Sequence, residues 1–152
     1  MSLIVRSLNI PERTPQLVAE LVALWRRSVS ATHHFLDATA IQAIEPEVAG
    51  GLGAVPTLVV EYDDHRAPVG FIGVAGDSIE MLFVDPDHIG TGVGGRLVRH
   101  AIADLGARRV DVNEQNPSAR EFYEHLGFAV VDRSAVDDHN RPYPILHMSL
   151  TA

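Results

Sequence analysis

The sequence of 152 residues contains no cysteine, which excludes disulfides, thiolate metal ligands and a cysteine nucleophile together. No apolar run reaches the roughly 20 residues a bilayer-spanning helix needs. The apolar part of the N-terminal MSLIVRSLNI is too short for a secretory signal. The expected compartment is therefore the cytoplasm, with no membrane partner. Basic residues are scarce: 12 stand against 20 acidic ones, a formal charge of −8. A nucleic-acid ligand, held mainly by Lys and Arg on phosphates, is disfavoured. The sign suits a cationic partner such as an amine instead. Internal repeats and low-complexity tracts are absent too. An apolar content of 46% is ordinary for a globular chain, so residues 1–152 read as one domain with room for a core.

What the chain does have is a glycine-rich loop. In VDPDHIGTGVGGRLVRHA (84–101) a β-type run ends at Val84 and Asp85-Pro86 breaks it. Glycines follow at 90, 92, 94 and 95, and then Val93, Leu97, Ala101, Ile102 and Leu105 recur at helical spacing. Strand, glycine loop and helix N-terminus together make an anion site. Backbone can approach a ligand closely, and the first-turn N–H groups lack intrahelical partners. A pyrophosphate is the natural guest. A P-loop is excluded, because Gly95-Arg96 stands where Lys-Ser or Lys-Thr is required. A dinucleotide fingerprint stays open on spacing alone, since Gly90, Gly92, Gly95 and the later Asp111 all fit it.

The remaining pattern is strand-rich. Strands are expected at 3–8, 57–62, 67–76, 79–84, 110–113, 128–134 and 144–150. The stripe Leu17, Leu21, Leu24 and Trp25 predicts a first helix running to about His33. A second, short helix is expected over Thr39 to Val48, with Gly50, Gly51 and Gly53 as a flexible connection. Asn116-Pro117 reads as an N-cap with proline at the first helical position, and Gly127 as the end of that helix.

The segment Asn113 to Phe128 resembles the GNAT superfamily of acetyl-CoA-dependent N-acetyltransferases. There, Asn-x-x-Ala-x-x-x-Tyr-x-x-x-Gly-Phe follows the glycine loop, and Asn116, Ala119, Tyr123, Gly127 and Phe128 match it position for position. The resemblance runs from near Leu3 to near Leu150. It is strongest toward a group of small bacterial acetyltransferases sharing LWRRSVSATHHFL, VNEQNPSA and SAVDDHNRPYP. One departure is Ile89, where the family carries Arg or Gln. Because backbone N–H groups make most of those phosphate contacts, weaker loop ordering is expected rather than lost binding.

The resemblance implies an α/β fold with a mixed, mostly antiparallel sheet of about seven strands. That sheet is splayed at its centre and carries helices on both faces. It implies acetyl-CoA as cosubstrate, a primary amine of a small molecule or protein as acceptor, and a monomer or homodimer. The donor site would comprise Leu82, Phe83, Val84, Ile89, Gly90, Thr91, Gly92, Val93, Gly94, Gly95, Asn116, Ala119 and Tyr123. Backbone N–H of Leu82 to Val84 would polarise the thioester carbonyl, and Arg96, Arg99 or Arg120 would add charge near the phosphates. A non-catalytic acyl-CoA sensor on the same fold is the alternative.

Acetyl transfer needs an unprotonated amine and a proton for the departing thiolate. Tyr123 matches the family's acid. Keeping a lysine-type amine neutral at pH 7 costs about 4.6 kcal/mol, so a base is useful. Asp111 is the first choice, pointing with Asn113 away from Val110 and Val112. Glu80, read as sharing a face with Leu82 and Val84, is second, and His33 or His34 third. Trp25, His33, His34, Phe35 and Tyr143 would line the acceptor site, with Asp37 beside them and the loop 137–143 covering it. A metal is not expected: the adjacent His33 and His34 diverge on a helix, and no His-x-x-x-His pair exists.

Overall fold

The computed structural model describes residues 4–8, 13–32 and 36–151. In chain order the elements are β1 (Ile4–Leu8), α1 (Pro15–Thr32), α2 (Ala38–Ala54), β2 (Thr57–Tyr62), β3 (Pro68–Ala75) and β4 (Ser78–Val84). Then come α3 (Val93–Leu105), β5 (Arg109–Asn113), α4 (Pro117–His125), β6 (Phe128–Ser134) and β7 (Ile145–Leu150). The strands form one seven-stranded sheet in the order β1-β2-β3-β4-β5-β7-β6. Every pairing is antiparallel except β4 with β5. The strands before the glycine loop are thus an antiparallel meander. A dinucleotide fold needs parallel βαβ units there, so that reading falls.

Helices cover both faces, as the apolar periodicity requires. Leu21, Leu24, Trp25 and Val29 lie on one stripe of α1 and pack with Ile41 and Leu52 of α2 against Leu58, Val60 and Phe71 of the sheet. On the other face Val93, Leu97, Val98 and Ala101 of α3 and Tyr123 of α4 cover Val59, Ile72, Ile79, Val110 and Met148. The α3 seam is close. A Cβ on Gly70 would lie 2.6 Å from Cγ1 of Val93, so only glycine lets the start of α3 sit on β3.

The second helix corrects the sequence reading. Gly50, Gly51 and Gly53 do not form a connection but the last turns of a 17-residue α2. Each glycine weakens a helix by about 1 kcal/mol relative to alanine. Two tertiary features offset this. Gly51 lets the helix approach β4, since a Cβ there would stand 3.1 Å from Cε of Met81. Arg13 closes the helix end, Nη1 donating to the carbonyl of Leu52 at 2.8 Å and to that of Val55. Gly50 and Gly53 face open space, with nothing within 4 Å of an added Cβ. Replacing either by alanine is expected to raise stability by about 0.5–1 kcal/mol. Thermal melts check this, and the same change at Gly51 should lack the gain.

The feature that positions the site is a splay. β4 and β5 pair only at Ser78 with Arg109 and Ile79 with Val110. Asp77 clamps the foot of the splay. Its carbonyl accepts N–H of Arg108 and Arg109 at 2.6 and 3.0 Å, and its carboxylate takes Nη2 of Arg109 at 2.7 Å. Beyond Ile79 the two strands part.

Candidate active site

Above the splay, β4, the glycine loop, α3 and α4 enclose a cavity of about 570 Å³. It is lined by Leu82, Phe83, Val84, Ile89, Gly90, Gly92, Val93, Gly94, Gly95, Asn116 and Ala119. The loop turns through Gly90 and Gly92 at φ of 85° and 90°, a region that L side chains avoid. Gly92 is also the N-cap of α3 and offers no side-chain acceptor, so the first-turn N–H groups stay open to a ligand. Of the expected donor residues, Tyr123 and Thr91 are outside this cavity. Thr91 is held within the loop, its Oγ1 donating to the carbonyl of His88 at 2.5 Å.

Asn116 caps α4, its Oδ1 accepting N–H of Ala119 at 3.2 Å. The arginines divide differently from expectation. Arg96 donates through Nε and Nη2 to Glu61 at 2.9 and 2.8 Å, and through Nη1 to the carbonyl of Thr91 at 3.3 Å. Glu61 is fully buried on β2, so Arg96 is its counter-ion and is not free for a phosphate. Arg120 sits by Glu124 at 3.6 Å on α4. Arg99 is the arginine that lines the cavity.

The gap between β4 and β5 forms a second cavity of about 150 Å³. Leu82, Phe83, Asn116 and Ala119 line both, so the two are neighbours. Tyr123, Glu80 and Asp111 all line the gap. Tyr123 is buried, wedged edge-on against Phe122 and Phe128 with centroids 5.0 and 5.6 Å away. Burial pushes its phenol well above the ordinary value, which keeps it protonated.

Glu80 is not where alternation placed it. Gly73 pairs with Met81 and Val74 with Ile79, so a β-bulge leaves Glu80 without a partner and shifts the phase of the strand. Ile79, Leu82 and Val84 pack toward α3, whereas Glu80 lines a cavity on the α2 side with Met81 and Phe83. Glu80 is largely exposed, and partial desolvation by the cavity wall, then the charges of Asp111 and Asp138, push its carboxyl above the usual range, with Arg109 opposing. Asp111 faces as expected, away from the buried Val110 and Val112. Its Oδ1 lies 2.7 Å from Nδ1 of His147 on β7.

On that side two further cavities, of about 560 and 300 Å³, open between α1, α2 and the 135–144 loop. Trp25 lines both and Tyr143 the smaller. Glu80, Met81 and Phe83 line both the larger cavity and the gap. His33, His34 and Phe35 lie outside the described residues. Asp37 caps α2, accepting N–H of Ala40 at 2.8 Å. Several lining residues carry no local sequence signal. Glu47 of α2 pairs with Arg141, which draws the loop over the cavity, and Asp138 and His139 flank that pair. Sequence reasoning reached the loop but not its partner, 94 residues away.

Comparison with known proteins agrees with this geometry. A model of the acetyltransferase (GNAT) domain matches residues 54–130. The chain is 41% identical over 141 residues to the peptidyl-lysine N-acetyltransferase YjaB of Salmonella typhimurium, spanning 93% of this chain and 97% of that one. It is 45% identical over 130 residues to YjaB of Escherichia coli, spanning 86% and 88%. The solution structure of apo-form YjaB from Escherichia coli superposes with a TM-score of 0.84 at 40% identity, over 100% of this chain and 99% of that one.

Proposed function

The chain belongs to the GNAT acetyltransferase family and is an N-acetyltransferase; we propose that it moves the acetyl group of acetyl-CoA to the ε-amine of a lysine in a protein or peptide. Residues 1–152 act in this reading as one domain. The observation that carries it is the gap at the splay, which lies between a glycine-loop cavity on one side and an acidic, aromatic-walled cavity on the other. A donor thioester and an acceptor amine entering from opposite sides meet there. The two YjaB relatives are named as enzymes, which tells against the sensor alternative.

Each residue then has a task. The open N–H groups at the start of α3, with Arg99 nearby, hold the pyrophosphate. Backbone N–H of β4 beyond Ile79, free of β5, faces the thioester carbonyl. Trp25 walls the acceptor cavity and the carboxylates of Glu80 and Asp138 suit a cation on an aliphatic stem. Glu80 takes the amine proton; its raised affinity for protons makes it a better base than an ordinary carboxylate. Tyr123 supplies a proton to the departing sulfur.

The test is acetylation of a peptide panel, with thiol release followed in parallel. All 12 basic residues of the chain are arginine, so product on lysine can come only from the acceptor. Lysine peptides should turn over, and the same peptides with arginine should not. Loss of turnover with every amine, despite acetyl-CoA binding, would sink the reading. A base must be ionised to act, so activity is lost as pH falls through the Glu80 value. That limb should lie above about 4.3, the ordinary glutamate value. Glu80→Gln should lower kcat about 100-fold and remove the limb from the pH–rate profile.

A further inference from the structure

The gap between β4 and β5 is larger than an acetyl group needs. Its volume of about 150 Å³ is that of a protein cavity able to take a benzene ring, about six heavy atoms. An acetyl group brings three heavy atoms and the attacking amine one, so room for two carbons is left over. The two sides of the gap differ in chemistry. Toward α3 and α4 stand the buried Ile79, Val110 and Val112, with Ala119 and Tyr123. On the face turned away from those helices stand the carboxylates of Glu80 and Asp111, both open to solvent. Leu82, Asn116 and Ala119 line the glycine-loop cavity as well as the gap. A donor laid along that cavity therefore brings its acyl tail in beside Ala119, against the aliphatic side. Added methylenes there leave water for apolar contact, which is favourable.

We infer that the protein also transfers propionyl and butyryl groups from their CoA thioesters to lysine and rejects dicarboxylic donors such as succinyl-CoA, an inference that rests on the amine-acetylation reading above. The chemistry is the same for every tail. The amine nitrogen forms a bond to the acyl carbon and the carbon–sulfur bond breaks. The amine loses one proton and the departing sulfur gains one, so acyl-CoA and amine give amide and free CoA. Only the space for the tail differs, and Val112 on β5 and Ala119 on α4 bound it from two elements. A tail two carbons longer than acetyl fills the gap, and a longer one meets packed core behind Val110 and Val112. A succinyl carboxylate has no good place. Against Ile79, Val110 and Val112 it would be buried without a partner, and turned the other way it would face Glu80 and Asp111. Arg109, whose charge reaches both carboxylates, is already held by Asp77 at the foot of the splay.

The test measures kcat/KM of the parent enzyme for acetyl-, propionyl-, butyryl-, hexanoyl- and succinyl-CoA with one lysine peptide, each product confirmed by mass. Propionyl and butyryl transfer should fall within about tenfold of acetyl, and hexanoyl and succinyl transfer about 100-fold or more below it. Val112→Leu, which adds a carbon to the aliphatic side, should lower the butyryl-to-acetyl ratio about tenfold, and Ala119→Val should lower it from the opposite element. Both ratios are taken within one variant, so a general loss of activity does not affect them. Asp111→Asn should raise the succinyl-to-acetyl ratio. Butyryl transfer below the tenfold range, hexanoyl transfer equal to butyryl, succinyl transfer equal to acetyl, or an unchanged butyryl-to-acetyl ratio in folded Val112→Leu would each overturn the inference. Acetyl transfer to the lysine peptide would still stand in those cases. A parent enzyme without turnover from any donor would overturn both.

Discussion

Arg96→Ala is expected to destabilise the protein by about 3 kcal/mol and to raise the KM for acetyl-CoA. Glu61 is fully buried in β2, and both its oxygens are taken by Arg96. Removing one partner of a buried pair costs about 3–5 kcal/mol, because an uncompensated charge stays behind. The low end applies here, since Arg96 has a side chain 38% exposed and its loss admits water toward Glu61. The functional effect follows from the third contact of the same guanidinium. Nη1 holds the carbonyl of Thr91, so the pair ties the glycine loop to the sheet. Chemical denaturation checks the stability change, and initial rates against acetyl-CoA concentration check the loop. The paired replacement Arg96→Met with Glu61→Leu should recover much of the stability, because no buried charge remains. It should not recover the KM. A single alanine variant as stable as the parent would show that the pair contributes nothing.

Tyr123→Phe should lower kcat by a factor of about 100 or more while leaving the fold intact, in line with the loss of a general acid. The aromatic body stays, and with it the edge-on packing against Phe122 and Phe128. A swap this close in volume costs less than about 1.5 kcal/mol. Because burial raises the phenol well above its ordinary value, Tyr123 holds its proton throughout the range in which the enzyme is assayed. The loss should therefore be the same at every pH between about 7 and 10, relative to an ordinary tyrosine value of about 10. An alkaline limb that vanishes in the variant would mean that Tyr123 titrates, against its burial. Full activity in the variant would remove it from the chemistry and leave it as core.

The two effects differ in how legible they were. The donor loop is local: glycine spacing, the Asp-Pro break and the Asn-Pro cap sit within one stretch of chain, and each has a backbone reason that needs no partner. Tyr123 belongs to the same stretch. Strands and the first helix follow from periodicity for the same reason. Where a local signal was overruled, a tertiary contact did it. Glycines that favour a loop became the end of α2, because Met81 and Arg13 reward close approach and closure there.

What the sequence by itself determined is the donor half of this protein: a glycine loop ahead of a helix, a capped second helix, and the family pattern joining them. Only the tertiary structure decided the half proposed to take the acceptor. The bulge opposite Gly73 and Val74 turned Glu80 toward the cavity, and pairing of β5 with β7 set Asp111 beside His147. Arg141 found Glu47 across 94 residues, and Arg96 found Glu61 across 35. A backbone that binds phosphate needs only its own torsions and its own free N–H groups. Side chains that move protons need neighbours, and strand register, not spacing along the chain, chooses them.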